Sequence, residues 1–226
     1  MALSSETLAQ FEKLGLTPEE VAEIAVNRPS LRGMLMGYAA EYKVRKQWFS
    51  KPEITDLVVP DDHDRSQKFD IGFNYKGVPV RVEVKSLQTN SVKVCDPRAR
   101  GGWGSLKSLH MDASTPRKGE QRAIFQCDAS DKRTVRFPSG ATLETTCVLI
   151  DAFDLLAVGM FAFGNGWKFA FARNRDLPHT TSYSDEATAN LLASGMAITW
   201  PVKPPYEMEP YRLLDAIVLD RASRKR

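Results

Sequence analysis

The sequence predicts an α/β protein in which helices flank a mixed central β-sheet. Three observations predict this fold class: alternating apolar and polar residues at 69–86, a long apolar run at 147–163, and helix signals near both ends of the chain. With 226 residues, 42% hydrophobic and 26% charged, the chain suits one domain with a sizeable core. We expect a single domain over 1–226, made of a small helical amino-terminal part at 1–30 and a core at 31–226.

Composition argues against several classes of protein. Cys95, Cys127 and Cys147 form no CxxC pair, so neither a disulfide framework nor a structural zinc site is expected. The first residues, MALSSETLAQF, lack the features of a signal peptide. The apolar run at 147–163 is interrupted by Asp151 and Asp154 and is too short to span a membrane. A cytoplasmic protein without membrane contact is expected.

Charge is unevenly distributed, although the net charge is only +3. Residues 1–30 hold five Glu against Lys13 and Arg28, whereas residues 93–136 hold ten Lys or Arg against five Asp or Glu. A polyanion would therefore meet the second region more readily than the first.

Helix signals dominate the first fifty residues. Two short helices are predicted within 5–27, the second starting with Thr17 as N-cap, Pro18 at the first helical position and Glu20 three residues after the cap. A longer helix is predicted over 30–49, with an apolar stripe formed by Leu31, Leu35, Tyr38, Ala39 and Tyr42.

A β-hairpin is the clearest strand signal. The segments FDIGFNY and VPVRVEVKS alternate apolar and polar residues, and Lys76–Gly77 between them suits a tight turn. On the second strand three valines share one face, so Arg81, Glu83 and Lys85 share the other.

The remaining elements follow from shorter patterns. Residues 57–64 are predicted to be an acidic loop, and 95–121, rich in Gly and basic residues, a long loop. Strands are predicted at 123–129, 141–153, 155–163 and 167–173, and helices at 185–194 and 212–222.

The strongest chemical signal is Asp70 followed thirteen residues later by Glu83-Val84-Lys85. Glu83 and Lys85 lie two apart on a strand and share a face, while Asp70 begins the partner strand. A turn at Lys76–Gly77 is expected to bring Asp70 roughly opposite Lys85 or just beyond it. Two carboxylates and one ammonium then converge at one edge of a sheet.

This convergence points to magnesium. Close carboxylates repel each other unless a cation intervenes, and Mg²⁺ takes one or two carboxylates together with water and phosphate oxygens. We expect Asp70 and Glu83 to be ligands, with the Val84 backbone carbonyl as a further one. Lys85 would orient the attacking water or stabilise the negative charge that grows on the phosphate.

These residues resemble the PD-(D/E)xK nuclease superfamily, most closely the type II restriction endonucleases. The family has a Glu-bearing helix before the hairpin, and Glu41 in GYAAEYKV matches that Glu by position and order. One departure is Phe69, which stands where the family motif has Pro. The resemblance covers residues 31–88.

The resemblance implies a restriction-endonuclease-like core and Mg²⁺-dependent hydrolysis of phosphodiester bonds in duplex DNA by a homodimer. It also implies that Glu41 helps bind the metal and that Gln88 contacts metal-bound water or DNA. Two other functions fit the same residues: a structure-selective repair nuclease or resolvase of the same fold, and a DNA-binding module without catalysis.

Basic residues after the hairpin are candidates for phosphate contact, although a solvated loop would also account for them. The set consists of Arg98, Arg100, Lys107, Arg117, Lys118 and Arg122. Within the same segment, Trp103 is interpreted as an anchor of the loop rather than a base-stacking residue.

Other polar residues have ordinary explanations. Glu41 would equally pair with Arg45 one helical turn later. Asp61, Asp62 and Asp64 are interpreted as a solvated acidic loop. The histidines His63, His110 and His179 lie far apart in the sequence and lack the context of a catalytic triad.

Overall fold

The computed structural model describes residues 4–61, 69–106, 119–164, 166–183 and 185–224. Within these residues no helix combines the length and apolar character needed to cross a membrane. The chain divides into two compact units, residues 1–39 and residues 40–226. The sequence-based boundary at residue 30 stays a prediction about domain organisation.

The first unit contains α1 (Ser5–Leu14), α2 (Pro18–Asn27) and the beginning of α3 (Pro29–Trp48). The predicted capping box at α2 is present. Thr17 Oγ1 accepts a hydrogen bond from Glu20 N at 3.1 Å, and Glu20 Oε2 accepts one from Thr17 N at 2.7 Å. Both predicted short helices are therefore confirmed, and the predicted longer helix is observed one residue earlier than expected.

The apolar stripe predicted for α3 is wrong. Leu31, Leu35 and Tyr38 are exposed, whereas Ala40 and Val44 are the buried residues of this helix. Apolar spacings of three and four fit both stripes, so periodicity alone did not choose between them. Small size decided the outcome, because Ala40 allows α3 to approach the sheet closely.

The second unit contains most of the secondary structure. Its further helices are α4 (Asp185–Asn190) and α5 (Tyr211–Arg224). Its strands are β1 (Ile54–Val58), β2 (Ile71–Tyr75), β3 (Val78–Ser86), β4 (Lys93–Cys95), β5 (Trp103–Ser105), β6 (Gln121–Gln126), β7 (Asp128–Arg136), β8 (Thr142–Cys147), β9 (Leu155–Gly159), β10 (Phe169–Arg173) and β11 (Gly195–Trp200).

The central sheet has the strand order β1-β2-β3-β9-β10 and is mixed. Strand β3 pairs antiparallel with β2 and parallel with β9, and every residue of β9 is buried. Ala40 and Val44 of α3 share one hydrophobic cluster with β2, β3 and Leu214 of α5. The predicted α/β class, with a mixed central sheet flanked by helices, is thus confirmed.

A second, antiparallel sheet covers the opposite face of the central sheet. Its order is β11-β6-β4-β5. Phe125 of β6 and Met196 of β11 belong to the same buried cluster as Leu156 and Val158 of β9. The sequence had not predicted this layer, because β4 and β5 are only three residues long and β5 lies within the predicted loop at 95–121.

Two other strands differ from the predictions. The expected acidic loop at 57–64 begins as a strand, because β1 continues to Val58 and pairs with β2. Residues 62–64, and with them Asp62, His63 and Asp64, lie outside the described residues. Strand β7 pairs with β8 in a separate ribbon, and its alternation was masked by its many polar residues.

Asp154 interrupts the apolar run for a structural reason. Its Oδ2 accepts a hydrogen bond from Arg81 N at 2.8 Å, and its Oδ1 accepts one from Arg221 Nη2 at 2.6 Å. This carboxylate therefore ties β3 and α5 to the start of β9. Asp154 is thus a hydrogen-bonded position in the structure.

The valine substitution Gly159→Val tests how closely α3 approaches β9. A Cβ at Gly159 would lie 3.2 Å from Ala40 Cβ, so a branched side chain would push the helix away. We expect a loss of about 1–3 kcal/mol in the free energy of unfolding, measured by urea titration. The control is Gly195→Val on β11, where the nearest atom would be 3.5 Å away. Equal unfolding midpoints for the two variants would contradict this account of α3.

The three cysteines should differ in reactivity. Cys95 is exposed, whereas Cys127 and Cys147 are buried, and burial raises the pKa of the Cys127 thiol to about 12. Alkylation of the native protein with iodoacetamide at pH 8 should add one label, and alkylation in urea should add three, as read by intact mass. A Cys95→Ser variant should take up no label when native. Rapid native labelling at Cys127 would show that the core around it is open.

Candidate active site on the β2–β3 hairpin

A two-residue turn sets the register of the hairpin. Lys76 and Gly77 both have positive φ, 50° and 76°, and Tyr75 pairs directly with Val78. Counting back along both strands places Ile71 opposite Val82. Asp70 therefore lies across from Glu83, with its backbone N donating to Val82 O at 3.0 Å.

This register corrects one expectation. Asp70 was expected opposite Lys85 or just beyond it, which is two residues too far along β3. A two-residue turn pairs the residues on either side of it, and each step outward then keeps the sum of the paired numbers constant. That rule, applied to Tyr75 and Val78, gives Glu83 as the partner of Asp70.

The carboxylate of Asp70 is bound to the backbone of the opposite strand. Asp70 Oδ2 accepts a hydrogen bond from Val84 N at 2.6 Å. The pairing of β2 with β3 ends at Ile71 and Val82, so no backbone carbonyl of β2 accepts from Val84 N. The Asp70 carboxylate accepts from it instead. Because Val84 lies between Glu83 and Lys85 in the sequence, this contact holds the Asp70 carboxylate at the backbone of the segment that carries both residues.

Glu83 and Lys85 form an ion pair on the same face of β3. Lys85 Nζ lies 2.7 Å from Glu83 Oε1, and their side chains are 23% and 16% exposed. Burial alone would lower the pKa of Lys85, but the charge and hydrogen bond of Glu83 and the charge of Asp70 outweigh it, and the pKa stands above its ordinary value. Lys85 is therefore a cation at neutral pH, with both carboxylates acting on it.

The donor set fits a hard cation such as Mg²⁺. Among the described residues, no group of three or more His, Cys, Asp or Glu is placed to hold a metal. Asp70 and Glu83 alone still match the way Mg²⁺ is bound in proteins, by one or two carboxylates with waters and substrate phosphate completing the shell. The N–H and C=O of one residue point to the same side of a strand, so the Val84 carbonyl faces the side on which Asp70 lies.

Glu41 is the residue after the close contact between α3 and β9. Ala40 approaches Gly159, which pairs with Ser86 next to Lys85 on β3. Glu41 itself is partly exposed. Its role as a metal ligand stays a prediction, as does its alternative as a partner of Arg45.

An open cleft of about 490 Å³ begins at Lys85. Its polar lining consists of Lys85, Ser86, Gln88, Ser91, Gln126 and Asp128, with Ile124 and Phe125 beside them. The predicted Gln88 is thus in this cleft. Ser86 Oγ is buried and, as far as the described residues go, makes no hydrogen bond; the alternation of side chains along β3 places it on the face opposite to Lys85.

Sequence reasoning missed Gln126 and Asp128. Gln126 ends β6 and Asp128 begins β7. In the second sheet β6 lies against β3, so both residues line the cleft at the carboxyl end of β3. The alternation of buried and exposed residues along β6 was a usable signal that Gln126 faces outward. Nothing in the sequence indicated that this outward face continues into the cleft at Lys85.

The predicted basic set is only partly described. Arg98, Arg100 and Arg122 are exposed. The other three, Lys107, Arg117 and Lys118, lie outside the described residues, as does His110. Trp103 opens β5, and the Arg122 guanidinium lies 4.2 Å from the centroid of its ring.

Comparison with known proteins yields little. No protein-family model matches the chain, and no curated protein matches it. Among solved structures, the chain is similar to the bacterial homing endonuclease I-Ssp6803I, with 14% sequence identity, 88% of this chain and 98% of that chain covered, and a TM-score of 0.35. The function proposed below is argued from the geometry of the hairpin and its cleft.

Proposed function

We propose that this chain is a Mg²⁺-dependent DNA endonuclease, specifically a type II restriction endonuclease. The observation that carries the proposal is the arrangement of three side chains. The Asp70 carboxylate is bound to Val84 N, Glu83 is paired with Lys85 at 2.7 Å, and Lys85 lines an open cleft. The resemblance to PD-(D/E)xK nucleases assigns catalysis to the same three residues.

Each residue has a role in hydrolysis. When bound, Mg²⁺ supplies Lewis-acid polarisation of the phosphate and a water that ionises more easily. Asp70 and Glu83 hold the cation, with the Val84 carbonyl and Glu41 as further ligands. Lys85 donates to a phosphate oxygen and offsets the charge that grows as water adds to phosphorus and the bond to the leaving oxygen breaks. One new end then carries a phosphate and the other a hydroxyl.

The charges around Lys85 suit its proposed role as a hydrogen-bond donor to phosphate. Asp70 and Glu83 keep Lys85 protonated, so the ammonium remains a hydrogen-bond donor and does not act as a base. A phosphate brought into this cleft would therefore meet the Lys85 ammonium next to the two carboxylates and the metal that they would hold.

Removing either carboxylate charge should abolish cleavage without unfolding the protein. In Asp70→Asn the side-chain carbonyl can still accept from Val84 N, so the hairpin bond survives while the charge is lost. We expect Asp70→Asn, Glu83→Gln and Lys85→Met each to lower the rate of plasmid cleavage in Mg²⁺ by about 100-fold or more. The matched control is Glu209→Gln, an exposed carboxylate remote in sequence from the site, which should cleave like the parent. Full activity in Asp70→Asn would refute the proposed site.

The DNA products distinguish a restriction endonuclease from a structure-selective nuclease and from a DNA-binding module without catalysis. Large, sequence-diverse DNA incubated with the protein and Mg²⁺ should yield discrete bands, because a restriction enzyme cuts at one short sequence. Cleavage of branched or mismatched DNA alone would replace this role with a structure-selective nuclease. Intact DNA of every kind, together with tight binding, would leave a DNA-binding module.

We also propose that the enzyme acts as a homodimer. A two-fold dimer places one site on each strand of a palindrome, and the described part of one chain carries one such site. Sedimentation of the protein on a duplex that it cuts should give two chains per duplex, and plasmid should go directly to the linear form. One chain per duplex, with nicked circles as the end product, would contradict the dimer.

A further inference from the structure

The outer face of the second sheet is polar in a specific pattern. Along β6, Ala123 and Phe125 are buried in the core, and Arg122, Ile124 and Gln126 alternate with them on the exposed side. Ile124 is 61% exposed, more than any other large apolar side chain on a described strand.

Neighbouring strands leave these side chains uncovered on one side. On β11, Gly195 pairs with Gln126 and Ala197 pairs with Ile124, and both of these small residues are exposed. The side chains of β6 therefore rise above β11 as a ridge. A flat or convex partner could approach the ridge closely from that side.

Charge and continuity identify the occupant as duplex DNA. Lys93 of β4 pairs with Arg122 and is exposed, so two cations lie side by side at one end of the ridge. At the other end, Gln126 and Ile124 line the cleft that begins at Lys85. Of the acidic groups nearby, Glu120 is paired with Lys203 at 2.5 Å, and Asp128 lies in the cleft itself. A backbone seated at Lys85 would thus continue over the ridge.

The exposed residues Arg122, Ile124 and Gln126 are of the side-chain types that distinguish DNA bases. Arg makes a paired contact with guanine, Gln makes one with adenine, and apolar groups contact the thymine methyl. The Arg122 guanidinium lies 4.2 Å from the Trp103 ring centroid, so stacking holds it in one orientation while its N–H edge stays available. Trp103 thus positions Arg122 for contact with a base, in addition to its interpretation as an anchor of the loop.

We propose that the exposed face of β6 reads the recognition sequence, with Gln126 selecting adenine close to the cut and Arg122 selecting guanine further away. Two residues of extended strand advance about 6.8 Å, which is about two base pairs of DNA at about 3.4 Å each. Ile124 would therefore meet the base pair midway, with Gln126 and Arg122 about four base pairs apart. This inference rests on the proposed nuclease function and adds the residues that set its specificity.

Binding selection tests this inference separately from cleavage. The Asp70→Asn protein would be used to select duplexes from a randomised library, so that the result does not depend on whether the chain cuts DNA. We expect a motif with adenine and guanine about four base pairs apart. Adding Gln126→Ala should remove the preference at the first position only, and Arg122→Ala at the second only, each by about 5- to 150-fold.

A change of specificity is a sharper test than a loss. Gln126→Glu should shift the first position from adenine to cytosine, because a carboxylate accepts from the cytosine amino group. Matched controls are Gln47→Ala on α3 and Arg136→Ala on β7, both exposed and off the ridge, and neither should alter the motif. Circular dichroism melts should agree for all these variants, since each of the altered side chains is exposed.

The outcomes separate the two proposals. A motif that survives both Gln126→Ala and Arg122→Ala, or binding without any motif, would overturn the reading role of β6 even if the parent protein cuts DNA. Failure of the parent to cut any DNA would overturn the nuclease function, and the selected motif would still decide the role of β6.

Discussion

One hydrogen bond organises the candidate site: the 2.6 Å contact from Val84 N to the carboxylate of Asp70. The last residue of β2 that pairs with β3 is Ile71, opposite Val82. Val84 N lies beyond that pair, so it would lack a backbone acceptor on β2 if Asp70 did not accept from it. The Asp70 side chain that satisfies this donor is thereby held at the backbone of Val84, the residue between Glu83 and Lys85. A negative charge is thus fixed at the edge of the sheet by backbone geometry, not by the flexible preferences of a surface side chain.

Charge balance around that bond accounts for the state of Lys85. Two carboxylates in a partly buried place would repel each other, and the ammonium at 2.7 Å from Glu83 offsets part of that repulsion. The buried Cys127 nearby stays a neutral thiol, because burial raises its pKa to about 12. The site therefore holds one cation and two anions, a charge balance that suits the divalent cation of the proposed function.

The layers of the fold connect this chemistry to a surface. The central sheet is buried on both faces, by α3 and α5 on one side and by the second sheet on the other. Because β6 belongs to the second sheet and also approaches β3, its outer face begins where the cleft at Lys85 ends. The same strand can thus contribute buried residues to the core and exposed residues to a partner, since strand side chains alternate between faces.

Local sequence determined the elements whose signals are themselves local. The capping box at Thr17, the turn at Lys76–Gly77 and the alternation of Val80, Val82 and Val84 each lie within a few residues, and each appears in the structure as predicted. The grouping of Asp70 with Glu83 and Lys85 also followed from one hairpin. Its register differs from the expectation by two residues, because the two-residue turn pairs Tyr75 with Val78 and so fixes every pair further along the hairpin.

Tertiary structure alone decided the features that depend on contacts between distant segments. The buried side of α3 was chosen by Ala40 meeting Gly159, which lies more than a hundred residues later in the chain. Gln126 reaches the cleft only because β6 pairs with β4 and β11 in a sheet whose short strands have no periodic signal. Periodicity shows that a residue faces outward, but it does not show which other surface lies beside it, because that depends on how the layers stack.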